Sequence, residues 1–249
     1  MQRFINLFVF IFIIAMGITQ NAQADIFLKQ KFHTDAMTIM GQTQPAEDMI
    51  SKIWITQKGI RNDSPDESMI MLLGEKKIII LNHLDKTYMV LPMDMDQMME
   101  ESASGQSPEE NAAMQGMMQN MVKKDISVSA TGETKTIRKW NCRKYRVTMD
   151  TMMGQIVNEV WATEDLKVDQ KLYERLNTAM MTSMPGMQQS VQDIQEEMKK
   201  IKGVQVKTVS SQQIMGKTRT STTELLDYKE GDAPADLFDI PKGYQEKRR

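Results

Sequence analysis

From residue 25 to residue 91, apolar and polar side chains alternate, and clusters of turn-forming residues punctuate the alternation. That pattern predicts consecutive half-buried strands. Ser51, Ile53 and Ile55 point one way, and Lys52, Trp54 and Thr56 the other. Turn clusters fall at Asn62-Asp63-Ser64-Pro65, at Gly74-Glu75 and between Asn82 and Lys86. The segments 68–73, 76–81 and 87–91 between them read as short strands joined by hairpins, which makes a β-meander.

The pattern changes at Pro92. Residues 92–122 are rich in Met, Glu, Gln and Ala, and Ser107-Pro108-Glu109-Glu110 offers an N-cap, a first-turn proline and acids suited to a helix start. Met114, Met117, Met118 and Met121 follow at steps of three and four, so one helix face is predicted to be thioether. Strand alternation returns over 125–137, 142–149 and 155–163, with Tyr145, Val147 and Met149 on one phase and Val157 and Trp161 marking the last strand. A second helical insertion is predicted over 166–202, where Met187, Val191, Ile194, Met198 and Ile201 recur at helical steps and Gly203 stands ready to end the helix. Strands at 204–212 and 217–228 and a tail containing Pro234 and Pro241 close the chain. An antiparallel sheet with one apolar face must cover it, and the two amphipathic insertions are the available cover. The expected class is therefore α+β: a curved antiparallel sheet whose concave face is covered by helical insertions near 92–122 and 166–202.

The first residues carry a separate message. Arg3 is followed by an apolar run from Phe4 to Ile18 and by Asn21-Ala22-Gln23-Ala24, which has the form of a secretory signal with an A-x-A-like peptidase site. The run falls below the roughly 18 to 20 apolar residues that span a bilayer. Residues 1–24 are thus expected to be a signal peptide cleaved between Ala24 and Asp25, leaving 25–249 as a single domain in the periplasm or outside the cell. With no cysteine at that junction, no lipid anchor is expected there.

Charge and cysteine usage narrow the partners. The 31 Lys and Arg and 33 Asp and Glu give a net charge of −2, and the basic runs Lys199-Lys200 and Lys247-Arg248-Arg249 are short. No basic footprint for nucleic acid follows. The single cysteine, Cys142, can make no internal disulfide and reads as a small strand residue.

Three blocks carry a family resemblance: Lys52 through Arg61 (KIWITQKGIR), Ile78-Ile79-Ile80-Leu81 with Lys86-Thr87-Tyr88-Met89, and the closing run Ala235 through Tyr244 (ADLFDIPKGY). Together they resemble an uncharacterised family of exported bacterial proteins similar to the periplasmic lipoprotein carriers of the LolA and LolB type. The resemblance implies a strongly curved, open antiparallel half-barrel, lidded by helices, able to hold acyl chains.

Methionine is the unusual ingredient, with 25 residues, of which only Met1 and Met16 precede Ala24. Thioethers can replace leucine as core filler, or can line a cavity that accepts varied hydrophobic ligands. A third reading is Cu(I) binding, since Met93, Met95, Met98 and Met99 bring four soft ligands into a short span, although no His or Cys accompanies them. No glycine-rich phosphate loop, G-x-S-x-G elbow or H-E-x-x-H motif occurs, and His33 and His83 stand in no nucleophile motif, so a non-enzyme without cofactor is expected. The leading expectation is a monomeric exported protein that binds a lipid or other hydrophobic small molecule, lined by Ile53, Ile55, Met114, Met118, Val157 and Trp161. Transient contact with a membrane or an envelope protein accompanies that role. The alternatives are a Cu(I)-handling protein and an assembly module that binds another polypeptide.

Overall fold

The computed structural model describes residues 24–39, 41–93, 126–151, 154–166, 196–214 and 216–247. They build one large sheet from β1 (Ile26–Thr34), β4 (Glu47–Ile55), β5 (Gly59–Asp63), β6 (Glu67–Leu72), β7 (Lys77–Asn82), β8 (Thr87–Pro92), β9 (Ile126–Ile137), β10 (Trp140–Thr151), β11 (Gly154–Thr163), β12 (Val204–Ile214), β13 (Lys217–Glu230) and β14 (Gln245–Glu246). A separate hairpin joins β2 (Met37–Ile39) to β3 (Gln42–Gln44). The order across the large sheet is β14-β8-β7-β6-β5-β4-β1-β13-β12-β11-β10-β9. Two antiparallel meanders, β4 to β8 and β9 to β13, are therefore zipped together along the first strand, which pairs with β4 on one side and β13 on the other. Only β14 runs parallel to its neighbour.

The strands lie where alternation places them, and the register shows why. Ile26 faces Ile55 and Leu28 faces Ile53, so the apolar phases of β1 and β4 fall on one face, called the front. The same phase continues through Ile60 and Met71 to Ile78 and Leu91. One buried cluster on this face includes Ile26, Leu28, Ile53, Ile55, Ile60, Met71 and Leu225, and it extends to Val204, Val206, Trp140 and Cys142 in the second meander. In β6 the run from Ser68 to Leu72 is buried without alternation, because both faces of this strand are covered. On its back face Ile70 and Leu72 join Ile79 and Leu81, and Phe238, Ile240 and Tyr244 of the C-terminal segment pack over them.

The expected α+β class does not hold. Among the described residues the fold is nearly all β, and helical backbone is confined to residues 196–198. The expected insertion at 92–122 lies, beyond Met93, outside the described residues, and so does most of the one at 166–202. Where the second one is described, the helical spacing of Met198 and Ile201 serves a single tight turn: Lys200 N–H donates to Glu197 O and Ile201 N–H to Met198 O, both three residues back. That turn drives Ile201, fully buried, into a second cluster with Val128, Tyr145, Val147, Val160 and Ala162. The half-barrel expectation is corrected as well. The sheet is neither closed nor strongly curled: β9 and β14 are its two edges, and no pairing joins them. Twelve strands in one open sheet need no closure when short local segments cover the apolar patches, as Ile201 and the 234–244 segment do.

Candidate functional site

The front of β1 combines apolar and polar chemistry at the centre of the sheet. Ile26 and Leu28 are buried in the large cluster, and two residues further on the same phase brings Gln30 to the same face. Gln30 is registered between Ser51 of β4 and Leu225 of β13, just where a bulge shifts the β1–β13 register. It is fully buried, and among the described residues neither the amide oxygen nor the amide nitrogen has a hydrogen-bond partner. A buried polar group without a partner costs about 1–3 kcal/mol, so Gln30 is an anomaly of the fold.

The Ser51 hydroxyl, itself buried, donates to Asn62 Oδ1 at 2.5 Å. Along β1 the next front-facing residue is Phe32, half-buried and registered against Met49, also half-buried. The front face thus grades from a buried apolar row (Leu28, Ile53) through a polar row (Gln30, Ser51) to a half-buried apolar row (Phe32, Met49). A second, milder case is Gln205 on β12: its oxygen accepts from Thr208 Oγ1 at 3.2 Å, while its nitrogen has no partner among the described residues.

Of the residues read from sequence as ligand-lining, Ile53 and Ile55 are buried in the large front cluster, and Trp161 packs against that cluster. Val157 is half-buried and belongs to none of the three clusters. Met114 and Met118 lie outside the described residues, as do Met95, Met98 and Met99 of the copper alternative. Met93, the fourth of those, is buried in the front cluster among aliphatic side chains, a place that suits core filler.

The back face holds a polar network that sequence reasoning missed. Arg61 Nε donates to Asp63 Oδ1 at 2.8 Å, and Ser68 Oγ donates to the same oxygen at 2.5 Å. Ser68 Oγ also lies 2.7 Å from His83 Nε2, and His83 Nδ1 lies 2.6 Å from the Tyr244 hydroxyl. One proton arrangement satisfies every member: Tyr244 donates to Nδ1, Nε2–H donates to Ser68, and Ser68 donates to Asp63. In that arrangement His83 Nε2–H is a donor to Ser68 and the Ser68 proton goes to the Asp63 carboxylate. Ser68 is also buried, with 1% of its surface exposed. Arg61 extends the network by donating to Leu237 O at 2.7 Å, so the whole array fastens the C-terminal segment to the sheet. No motif could announce it, because its members come together only through pairing across the strands.

A third feature is a cleft of about 460 Å³ at the β9–β10 end, lined by Lys135, Asn141, Cys142, Arg143, Glu164 and Asp165 among others. Three of the charged groups named are engaged: Asn141 donates from its backbone to Asp165 Oδ2 at 2.7 Å, and Arg143 pairs with Glu164 at 3.6 Å. Burial pushes the Cys142 thiol above its ordinary range, which disfavours thiolate chemistry there.

Comparison with known proteins matches residues 29–244 to a family whose description reads "Domain of unknown function (DUF4412)". That span contains all three sequence blocks that carried the family resemblance, so the uncharacterised-family reading stands. Among curated proteins no match is found. Among solved structures the chain is similar to PNGF-II, with 15% identity and a TM-score of 0.36 over 90% of this chain and 31% of that one. It is also similar to a putative outer membrane lipoprotein-sorting protein domain from Vibrio parahaemolyticus, with 8% identity and a TM-score of 0.30 over 88% of this chain and 91% of that one.

Proposed function

Because the chain belongs to the family described as Domain of unknown function (DUF4412), whose description names no activity, we propose a function from the chain's own chemistry: an exported protein that binds a hydrophobic ligand, a lipid or acyl group, on the front of its sheet. The observation that supports this is the extent of the apolar front cluster, which runs from Met71 of β6 across the centre of the sheet to Cys142 of β10. The cluster residues are themselves buried, so an alkyl chain would insert against this apolar core, where burial is worth about 0.8 kcal/mol per methylene. The reading includes removal of residues 1–24 and action beyond the cytoplasmic membrane, and it assigns no catalytic step.

The test is direct. Protein purified from the cell envelope is examined by native mass spectrometry and its lipids are extracted; a co-purifying lipid, or saturable binding of a fluorescent acyl probe, is the expected result. Protein that carries no lipid and binds no acyl probe overturns the proposal.

A further inference from the structure

Gln30 carries the inference. A carboxamide held at the middle of an apolar face, fully buried, has neither atom bonded among the described residues. Leucine or methionine would fill the same volume without the penalty. The four residues placed around it on the front face are Ser51 and Leu225 across the strands and Leu28 and Phe32 along β1, and none is charged. The lysines of the neighbourhood, Lys29, Lys31 and Lys52, alternate onto the back.

We infer that Gln30 is the polar seat of the ligand site, receiving the uncharged head of a single-chain amphiphile that enters head first past Phe32 and Met49. The inference rests on the reading that this face holds a hydrophobic ligand and adds which end of the ligand sits where. The amide oxygen needs a donor and the amide nitrogen an acceptor, so the head must supply both: a primary amide or a hydroxyl does so, a hydrocarbon end supplies neither, a carboxylate lacks the proton and a quaternary ammonium lacks both functions. A charged head also finds no counter-charge beside Gln30, and burying it there is costly. The chain of the ligand then lies along the half-buried Phe32–Met49 row.

The experiment measures displacement of the apolar fluorophore N-phenylnaphthylamine from the purified chain by dodecanamide, dodecanol, dodecanoate and dodecyltrimethylammonium, in the native protein and in Gln30→Met. Expected for the native protein is about tenfold tighter binding of the amide and the alcohol than of the two charged amphiphiles, the yield of two hydrogen bonds. In Gln30→Met that preference collapses to less than about twofold while the fluorophore still binds; Gln30→Leu repeats the measurement with a second apolar shape. In the native protein the Gln30 side-chain amide resonance shifts on adding dodecanamide, a readout independent of either variant. If the fluorophore binds but all four heads bind alike, or if the preference survives in both variants, the head-seat inference is overturned and the hydrophobic-ligand reading stands. If neither fluorophore nor amphiphile binds, the ligand reading itself falls and takes this one with it.

Discussion

The Tyr244 hydroxyl and His83 Nδ1 share a hydrogen bond of 2.6 Å, joining residues 161 apart in sequence and holding the C-terminal segment against the β7–β8 turn. The two rings meet edge to face, with centroids 6.0 Å apart and planes at 82°. Through Nε2 the bond continues to Ser68 and Asp63, so the four side chains act as one unit. Tyr244→Phe keeps the ring over Ile70 and Leu81 and removes only the first donor. The expected loss is about 1–2 kcal/mol, seen as a lower urea midpoint at unchanged m. Because the network is shared, Tyr244→Phe and Ser68→Ala combined should cost clearly less or clearly more than the sum of the two alone. Strict additivity would mean that the bonds do not form one array.

Gly203 makes a sharper prediction. Its φ is +86, and a Cβ at that position would lie 1.9 Å from the carbonyl oxygen of Thr163. The close approach lets the chain enter β12 directly beside the end of β11, behind the turn that delivers Ile201. Gly203→Ala is therefore expected to cost more than about 3 kcal/mol, combining left-handed strain with a backbone collision. Gly132, with φ +80 and open space around its Cα, is the control: Gly132→Ala meets the conformational cost alone, about 1 kcal/mol. Thermal melts of the two variants side by side test the difference, and equal costs would refute the close packing at Gly203.

The strands were legible because alternation is local. The segments read at 68–73, 76–81 and 87–91 are β6, β7 and β8 to within a residue or two at their ends, and the same holds for the later meander. The central place of β1 was not legible, since its pairing with both Glu47–Ile55 and Lys217–Glu230 is a long-range fact that no local pattern encodes. The helical expectation went astray at Met198 and Ile201, where a three-residue step satisfied a single turn. The back-face cover was missed because 234–244 reads as a proline-bearing tail, although Leu237, Phe238, Ile240 and Tyr244 are its packing residues. Phase alone put Ile53 and Ile55 on the apolar face, where they lie buried in the front cluster. Gln30 left one trace, a polar residue at an apolar phase of β1 after Ile26 and Leu28, but its lack of partners could be known only once β4 and β13 flanked it.

Cys142 offers a chemical test of the front cluster. Its side chain is 1% exposed and its thiol points back to Trp140 O at 3.5 Å, while desolvation raises its pKa. Both effects withhold the thiolate that reacts. In native protein at pH 8 a disulfide reagent such as dithionitrobenzoate should therefore modify Cys142 at least about a hundredfold more slowly than in urea-unfolded chain, with a native rate that follows opening of the β10 end. Rapid native labelling would show that the cluster does not close over this strand.

On the back face His33 is placed to be an imidazolium. Nδ1 lies 2.9 Å from Asp48 Oδ1 and Nε2 lies 3.1 Å from Asp35 Oδ1, and only the doubly protonated ring can donate to both carboxylates. The hydrogen bond to Asp48, then the one to Asp35, raises the His33 pKa above 6.5, while His33, followed by Lys31, lowers that of Asp48 below 3.8. A raised histidine pKa stabilises the fold in full below the unfolded value and ceases to do so as pH rises through the folded value. The lowered carboxylate acts in the opposite sense, its contribution fading as pH falls through the folded Asp48 value. The pair is therefore strongest between those two limits, and since both side chains are exposed it should weaken with added salt. NMR titration of the His33 ring should give a midpoint above 6.5 that drops toward it in Asp48→Asn and falls only partway in Asp35→Asn, matching the order of the two causes. A midpoint at or below 6.5 in the native chain would show that the two carboxylates do not hold the ring.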